Sequence, residues 1–320
     1  MIDLIAYGAF FLTTALTYGI ICLGLNVQWG QTGLFNVGVA GFVAIGAYAS
    51  ALLTTPPTTD HFGGFALPIV VGWIAAAAIT GVVAFGIGAL TLRLRADYLA
   101  ITTFGVAIAI QLVALNAQSI TGGPFGVAFI PRPFAALQGN ALLFNLANLF
   151  TVAAVTLIVY VGLERLVRGP WGRVLRAIRE DEAAAAAIGK NANAFRLQAF
   201  ALGAAIMGLA GAIQGHFIGF IAPDNYLSAL TFQVWAMLII GGAGNNLGAL
   251  LGSVVVWGLW SASSAAVSAI FPPEQQARAA SLEIVMIGVL LAFILVVMPR
   301  GLLGEKITVS RFIKRGDGVR

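Results

Sequence analysis

LIAYGAFFLTTALTYGIICLGLNVQWGQTGLFNVGVAGFVAIGAYASALLT, residues 4–54, contains no Asp, Glu, Lys or Arg. A helix that crosses a bilayer needs about 20 consecutive apolar residues, so this stretch is long enough for two crossings. Amides and glycines interrupt it from Asn26 to Gly41, NVQWGQTGLFNVGVAG. Gly30 and Gly33 permit backbone angles that stop a helix. The interruption is either a turn with a helix restart or non-helical backbone that lines a cavity at membrane depth. The residues alone leave both readings open.

The rest of the chain repeats the pattern. No charged residue occurs in 62–92, 98–131, 133–163, 197–223, 225–273 or 284–299. Of 320 residues, 60% are hydrophobic and only 9% are charged. A soluble domain carries roughly 25% charged residues to keep its surface solvated. We therefore expect an all-α, polytopic helical bundle with about nine spans, near 4–25, 35–54, 67–91, 98–116, 141–162, 197–220, 230–242, 247–269 and 282–298. The 230–242 segment is short for a full crossing and is read as a broken or re-entrant helix. Residues 1–298 form the membrane domain, with a polar loop at 163–196, and 299–320 form a basic tail. Asp3, with no basic residue before the first apolar run, fits a first span rather than a cleaved signal. One cysteine, Cys22, excludes an intrachain disulfide.

The basic residues fix an expected orientation. With nine alternating spans, 15 of the 17 Lys and Arg residues fall on one side, in 26–34, 92–97, 163–196, 243–246 and the tail, leaving Arg132 and Arg278 on the other. That side is expected to be cytoplasmic and the N-terminus outside. The basic balance follows this rule and does not point to nucleic acid.

Small residues recur at four-residue spacing: Gly211, Gly215 and Gly219 on one face of the sixth span, and Gly244, Gly248 and Gly252 leading into the eighth. Such faces let helices approach closely in lipid. Apart from Glu283 at the start of the last, no charged residue lies within a span, whereas ion-coupled carriers usually need one at mid-membrane. His216, near a span end, reads as a structural residue. The amides Asn26, Gln31, Asn36, Gln111 and Gln233 are candidates for lining a pathway or for bonding backbone at helix breaks. GGAGNNLG, 241–248, lacks the Lys and Ser/Thr of a phosphate loop and reads as a helix break. The chain shows no zinc spacing and no nucleophile–base arrangement, so catalysis and a bound cofactor are not expected of it.

The polar loop has its own pattern. GRVLRAIRE, 172–180, places Val174, Leu175 and Ile178 on one helical face, with Arg173, Arg176 and Arg179 around the remainder. Asp181 can cap the Glu182 to Ile188 run, and Gly189 can end it. Two short helices joined by an acidic elbow could lie on anionic lipid, but Glu180, Asp181 and Glu182 would be repelled there. A docking surface for another protein accommodates both signs of charge, with Leu175 and Ile178 as apolar anchors.

In order, GLNVQWGQTGLFNVGVAGFVAIGAYASALL (24–53), LRLRADYLAITTFG (92–105), TGGPFGV with IPRP (121–133), GRVLRAIREDEAAAAAIGKN (172–191), GLAGAIQGHFIGFIAPDNY (208–226), GGAGNNLGALLG (241–252) and MPRGLLG (298–304) resemble the permease family of branched-chain amino acid ABC transporters, of the LivM type. Glu182 precedes Gly189 by seven positions, one more than the family's usual spacing. The resemblance implies a bacterial inner-membrane importer subunit for branched-chain or other neutral amino acids. It implies a homologous permease partner, two cytoplasmic ATPases that hold ATP and Mg, and an extracytoplasmic solute-binding protein. Arg173, Leu175, Arg176, Ile178, Arg179, Glu180, Asp181, Glu182 and Gly189 would belong to its ATPase-coupling segment. Urea or short amides, sugars, and an ion-coupled carrier are the alternatives.

The orientation has a direct test in a Cys22-free background. A cysteine at Thr58 is expected to react with an impermeant thiol reagent from outside, and one at Ala186 only after permeabilisation. The reverse pattern would overturn the orientation.

Overall fold

Helix α1 covers Ile2–Gln28, α2 Val39–Thr54, α3 Ile69–Thr91, α4 Ala96–Asn116 and α5 Gln118–Thr121. After them come α6 Ala141–Arg168, α7 Pro170–Glu180, α8 Glu182–Ala187, α9 Ala192–Ile218, α10 Ser228–Gly241 and α11 Asn246–Ile270. This computed structural model describes residues 2–57, 62–270, 285, 288–289 and 301–304. Among them there is no β-strand, only an isolated antiparallel bridge between Val127 and Ile221. Thr58, the expected span at 282–298 apart from 285 and 288–289, and all of the tail but 301–304 lie outside the described residues.

The expected helices that fall within the described residues form, with their ends shifted by up to six residues. Asn140 starts α6 by accepting from the backbone N–H groups of Leu142 and Leu143, and Asn191 caps α9 by accepting from Ala194 N–H. Such caps satisfy donors that no preceding turn can reach. Pro170 opens α7, where its missing N–H costs nothing. Gly219, at φ +80°, ends α9. Helix α6 runs six residues past the expected end at 162, and within this extension Glu164 and Arg168 pair across one turn at 2.6 Å.

Among the described residues, six helices, α1, α3, α4, α6, α9 and α11, are long and apolar enough to cross a membrane. At 1.5 Å per residue, α2 and α10 reach only about 24 and 21 Å, against a hydrocarbon core of about 30 Å. Each of these short helices adjoins a backbone break, at 29–38 and 242–245 respectively.

Helices α1, α2, α9 and α10 carry most of the buried residues, and α3, α4, α6 and α11 flank them. The flanking helices present large apolar side chains outward, among them Val82, Leu90, Phe150 and Ile158. Alternating helices place the two breaks beside α7, and put the Val127–Ile221 bridge at the opposite end. Of the ten described Lys and Arg residues, Arg132 alone lies at that opposite end.

Glycine sets how closely the inner helices meet. A methyl group on Gly24 or Gly203 would lie 2.5 Å from the other's carbonyl oxygen across α1 and α9. On the α2–α9 crossing, one on Gly46 would overlap Gly208, and one on Gly211 would overlap the Val43 carbonyl. Gly248 and Gly252 pack in the same way against α10. The remainder of the expected glycine set behaves differently. Gly215 faces the side chains of Ile221 and Ile130, Gly219 terminates its helix against Arg132, and Gly244 sits in the second break at φ +86°. The pattern of small residues was therefore correct for α9 as a helix, but not for three glycines on one helix-packing face.

Gly211→Ala is expected to destabilise the chain by about 1–3 kcal/mol, because α2 and α9 must move apart to admit the methyl group. Gly86→Ala meets nothing within 4 Å and should leave stability unchanged or raised. Thermal unfolding in detergent compares the two, and equal stability would contradict the close crossing.

Candidate functional site

The break at 29–38 carries backbone groups that no helix satisfies, and side chains of the break itself, α4, α7 and α10 meet them. The first turn closes locally, Gln31 N–H donating to the Asn26 carbonyl at 3.0 Å and Leu34 N–H to the Gln28 carbonyl at 2.8 Å. Asn36 Oδ1 accepts from Gly38 N–H at 2.7 Å, and its Nδ2 donates to Gln28 Oε1 at 2.7 Å. Gln28 Nε2 donates in turn to the Phe200 carbonyl of α9 at 2.7 Å. Thr103 of α4 accepts from Val37 N–H, and Thr231 of α10 from Ala40 N–H, both at 3.0 Å. Trp235 Nε1 donates to the Asn36 carbonyl at 3.0 Å. Its ring meets Trp29 and Phe35 edge-on, at 5.2 and 4.8 Å between centroids.

The second break docks on the first. Asn26 Oδ1 accepts from Gly244 N–H at 2.8 Å, and Asn26 Nδ2 donates to Asn246 Oδ1 at 2.9 Å. Gln31 Nε2 donates to the Gly244 carbonyl at 2.8 Å. Asn246 Nδ2 reaches Glu164 Oε2 on α6 at 2.9 Å. A cavity of about 490 Å³ opens beside this network, lined by Glu164, Arg168, Arg176, Asn245 and Asn246 among others. Three of the expected amides, Asn26, Gln31 and Asn36, thus bond backbone at helix breaks. Gln233 lies on α10, its Nε2 buried without a hydrogen-bond partner, and Gln111 sits half-buried on α4. Neither joins the network.

Helix α7 closes the same end. Leu175 and Ile178 are fully buried within this chain, Leu175 in the main core and Ile178 against Val174, Ala185, Ala192 and Phe195. They are therefore not free anchors for a partner, contrary to the sequence expectation; the amphipathic face folds onto its own α9. Arg176 Nη1 donates to Gln31 Oε1 at 3.2 Å and to the Val167 carbonyl at 3.3 Å. Arg179 donates to the Gly30 carbonyl and pairs with Glu180 at 2.9 Å. Arg173 reaches the Arg168 carbonyl at 3.4 Å. Asp181 caps α8 by accepting from Ala184 N–H at 3.0 Å, and Gly189 follows the helix at φ +80°. Glu182 pairs with Arg196 at 2.7 Å, an exposed contact of small energetic value. The exposed surface comprises Arg173 and Ala177 of α7 with Glu180 to Ala184 and Ala186 to Lys190, crowned by Ile188 at 72% exposure.

His216 is buried at the opposite end. Its Nδ1 faces the Pro131 carbonyl at 2.7 Å, so Nδ1 carries the proton, and Nε2 accepts from the Ser50 hydroxyl at 2.9 Å. Both ring nitrogens are satisfied, and the residue ties the 122–140 loop to α9. Among the described residues, no three His, Cys, Asp or Glu side chains come together as a metal site would need.

Sequence comparison gives this geometry a context. The profile of the family described as a branched-chain amino acid transport system permease component matches residues 8–296. The chain is 35% identical over 269 residues to the high-affinity branched-chain amino acid transport system permease protein LivM of Escherichia coli K12, covering 76% of this chain. It spans 60% of that relative's length. A probable LivM of Methanocaldococcus jannaschii is 29% identical across 93% of both chains, and the Salmonella typhimurium permease LivH is 26% identical across 92% of this one. No solved structure matches the chain.

Asn36→Ala should cost about 1–3 kcal/mol, because Gln28 Oε1 and Gly38 N–H lose their partner where water cannot replace it. Thermal unfolding of the purified chain measures the loss. A variant as stable as the parent would show that the break does not depend on this amide.

Proposed function

Because the chain belongs to the family of branched-chain amino acid transport system permease components, we propose that it is the membrane permease subunit of an ATP-driven importer of branched-chain or other neutral amino acids. It forms the pathway together with a homologous permease. Two ATPases on the basic, cytoplasmic side bind and hydrolyse ATP with Mg, and a solute-binding protein delivers the amino acid from outside. In this reading the chain crosses the membrane nine times with its N-terminus outside. Helices α2 and α10 complete their crossings through the backbone breaks beside them.

The observation that carries the reading is the surface of α8. It is a short alanine helix with exposed Ile188 just after it, Glu180, Asp181 and Glu182 on its N-terminal side and Lys190 beyond its end, packed through Ala185 on the start of α9 at the basic end. An exposed apolar residue ringed by charge fits a groove on a partner, where a few apolar contacts anchor and rim charges orient. Ile188, with Ala183, Ala184, Ala186 and Ala187, therefore takes the docking role that Leu175 and Ile178 cannot fill. The interiors of the described spans carry no charged side chain, which favours a neutral or zwitterionic solute over an ion.

Two substitutions separate docking from folding. Ile188→Asp puts a carboxylate on an exposed tip and should leave membrane yield unchanged while ATPase co-purification and leucine uptake are lost. Ile178→Asp buries an unpaired carboxylate and should lower yield itself. Normal ATPase association and uptake in Ile188→Asp would refute docking through α8. Uptake of urea or a sugar in place of leucine by the parent complex would reassign the solute.

A further inference from the structure

One buried glutamine joins α7 to both helix breaks. Arg176 Nη1 donates to Gln31 Oε1 at 3.2 Å, and Gln31 Nε2 donates to the Gly244 carbonyl at 2.8 Å. Gln31 itself belongs to the first break, Gly244 to the second, and Arg176 to α7. Gln31 is 1% exposed, so water offers neither end of its amide a substitute partner. The amide has one acceptor and one donor end, and here the acceptor faces the cation and the donor faces the carbonyl. From the other direction, Gly244 N–H is fixed by Asn26, and the chain of bonds continues through Asn246 to Glu164 of α6.

This arrangement differs in kind from the apolar contacts of Leu175 and Ile178. Apolar surfaces slide past one another with little change in energy, whereas a hydrogen bond weakens steeply with distance and angle. At 3.2 Å the Arg176–Gln31 bond has only a few tenths of an ångström of tolerance before it is lost. A shift of α7 therefore either breaks the link or carries Gln31 and the Gly244 peptide with it. Arg179, on the Gly30 carbonyl next to Gln31, holds the same turn in register.

We infer that Arg176 and Gln31 are the positioning pair through which displacement of α7 reaches both backbone breaks, an inference that rests on the transport function proposed above. Neither residue touches the solute in this scheme. The pair converts movement at the α7–α8 hairpin into movement of the 29–38 and 242–245 segments, and so of the ends of α1, α2, α10 and α11.

Proteoliposomes holding the complete importer test the pair by the amount of solute taken up per ATP hydrolysed. Arg176→Met and Gln31→Met should each lower that ratio about tenfold, the worth of one buried hydrogen bond, with ATPase association unchanged. The double variant should fall no further than the lower single, since the two act as one unit. Arg176→Lys, which keeps a donor, should recover most of the loss. Unchanged ratios, or a double loss equal to the product of the singles, would overturn the pair's role. A second measurement needs no ATPase. In the full-length chain in detergent, Arg176→Met should speed amide hydrogen exchange in 242–246 about tenfold and leave α3 unaffected, although position 176 lies on a different helix. Unchanged exchange would also overturn the inference. A parent complex that showed no solute-stimulated ATP hydrolysis would sink the transport reading, while the exchange result would still decide whether α7 holds the second break.

Discussion

Non-helical backbone within a water-poor bundle needs a protein partner for every donor and acceptor, and much of this structure is arranged to provide them. At 29–38 the partners are amides and hydroxyls: Gln28 and Asn36 from the break and its preceding helix, Thr103 from α4 and Thr231 from α10. An amide supplies a donor and an acceptor without the desolvation cost of a charge. This accounts for a chain that excludes charge from its span interiors yet buries Asn26, Gln28, Gln31 and Asn36 almost completely. The same need brings the two breaks together, because the Gly244 peptide is met on one side by Asn26 and on the other by Gln31.

Close backbone approach follows from the same economy of volume. Where lipid surrounds a bundle, helices gain little from hiding apolar surface, and association relies on contact between backbones and on hydrogen bonds. The α1–α9 and α2–α9 crossings meet at Gly24 with Gly203 and at Gly46 with Gly208, and α10 meets α11 at Gly248 and Gly252. Helix α9 thereby becomes the axis on which α1, α2 and α3 pack. Its first turns also receive Ile178 of α7 through Phe195. Packing in the spans and the position of the polar hairpin are thus set by one helix.

The hairpin has two surfaces with different work to do. Its inner face is apolar and cationic, spent on this chain's own core and on the carbonyls of Gly30 and Val167. Its outer face is alanine, acid and Ile188. In the proposed role, a partner pressing on the outer face would act on a body whose inner face is bonded to the first break and linked through Gln31 to the second. Such a link would couple the two without a charged residue in the span interiors.

The helical class, the apolar segments, the charge-free interiors and the gathering of basic residues are legible along the chain, because each is a property of local composition. The sequence also marked both breaks, since Gly and Asn clusters interrupt apolar runs there, and it placed the Asp181 cap and the Gly189 stop. Which surface of α7 was occupied was a different matter. An apolar stripe with Leu175 and Ile178 looks the same whether it meets a partner or folds onto α9, and burial within the chain decided it. Three glycines at four-residue spacing likewise look like one packing face. Only the tertiary structure showed Gly211 against a backbone, Gly215 against side chains and Gly219 at a helix end. Gln31 read as one amide among several, because its meaning lies in Gly244 and Arg176, 213 and 145 residues away. Local pattern fixes what a segment is, while its bonding partners are set by how distant segments pack.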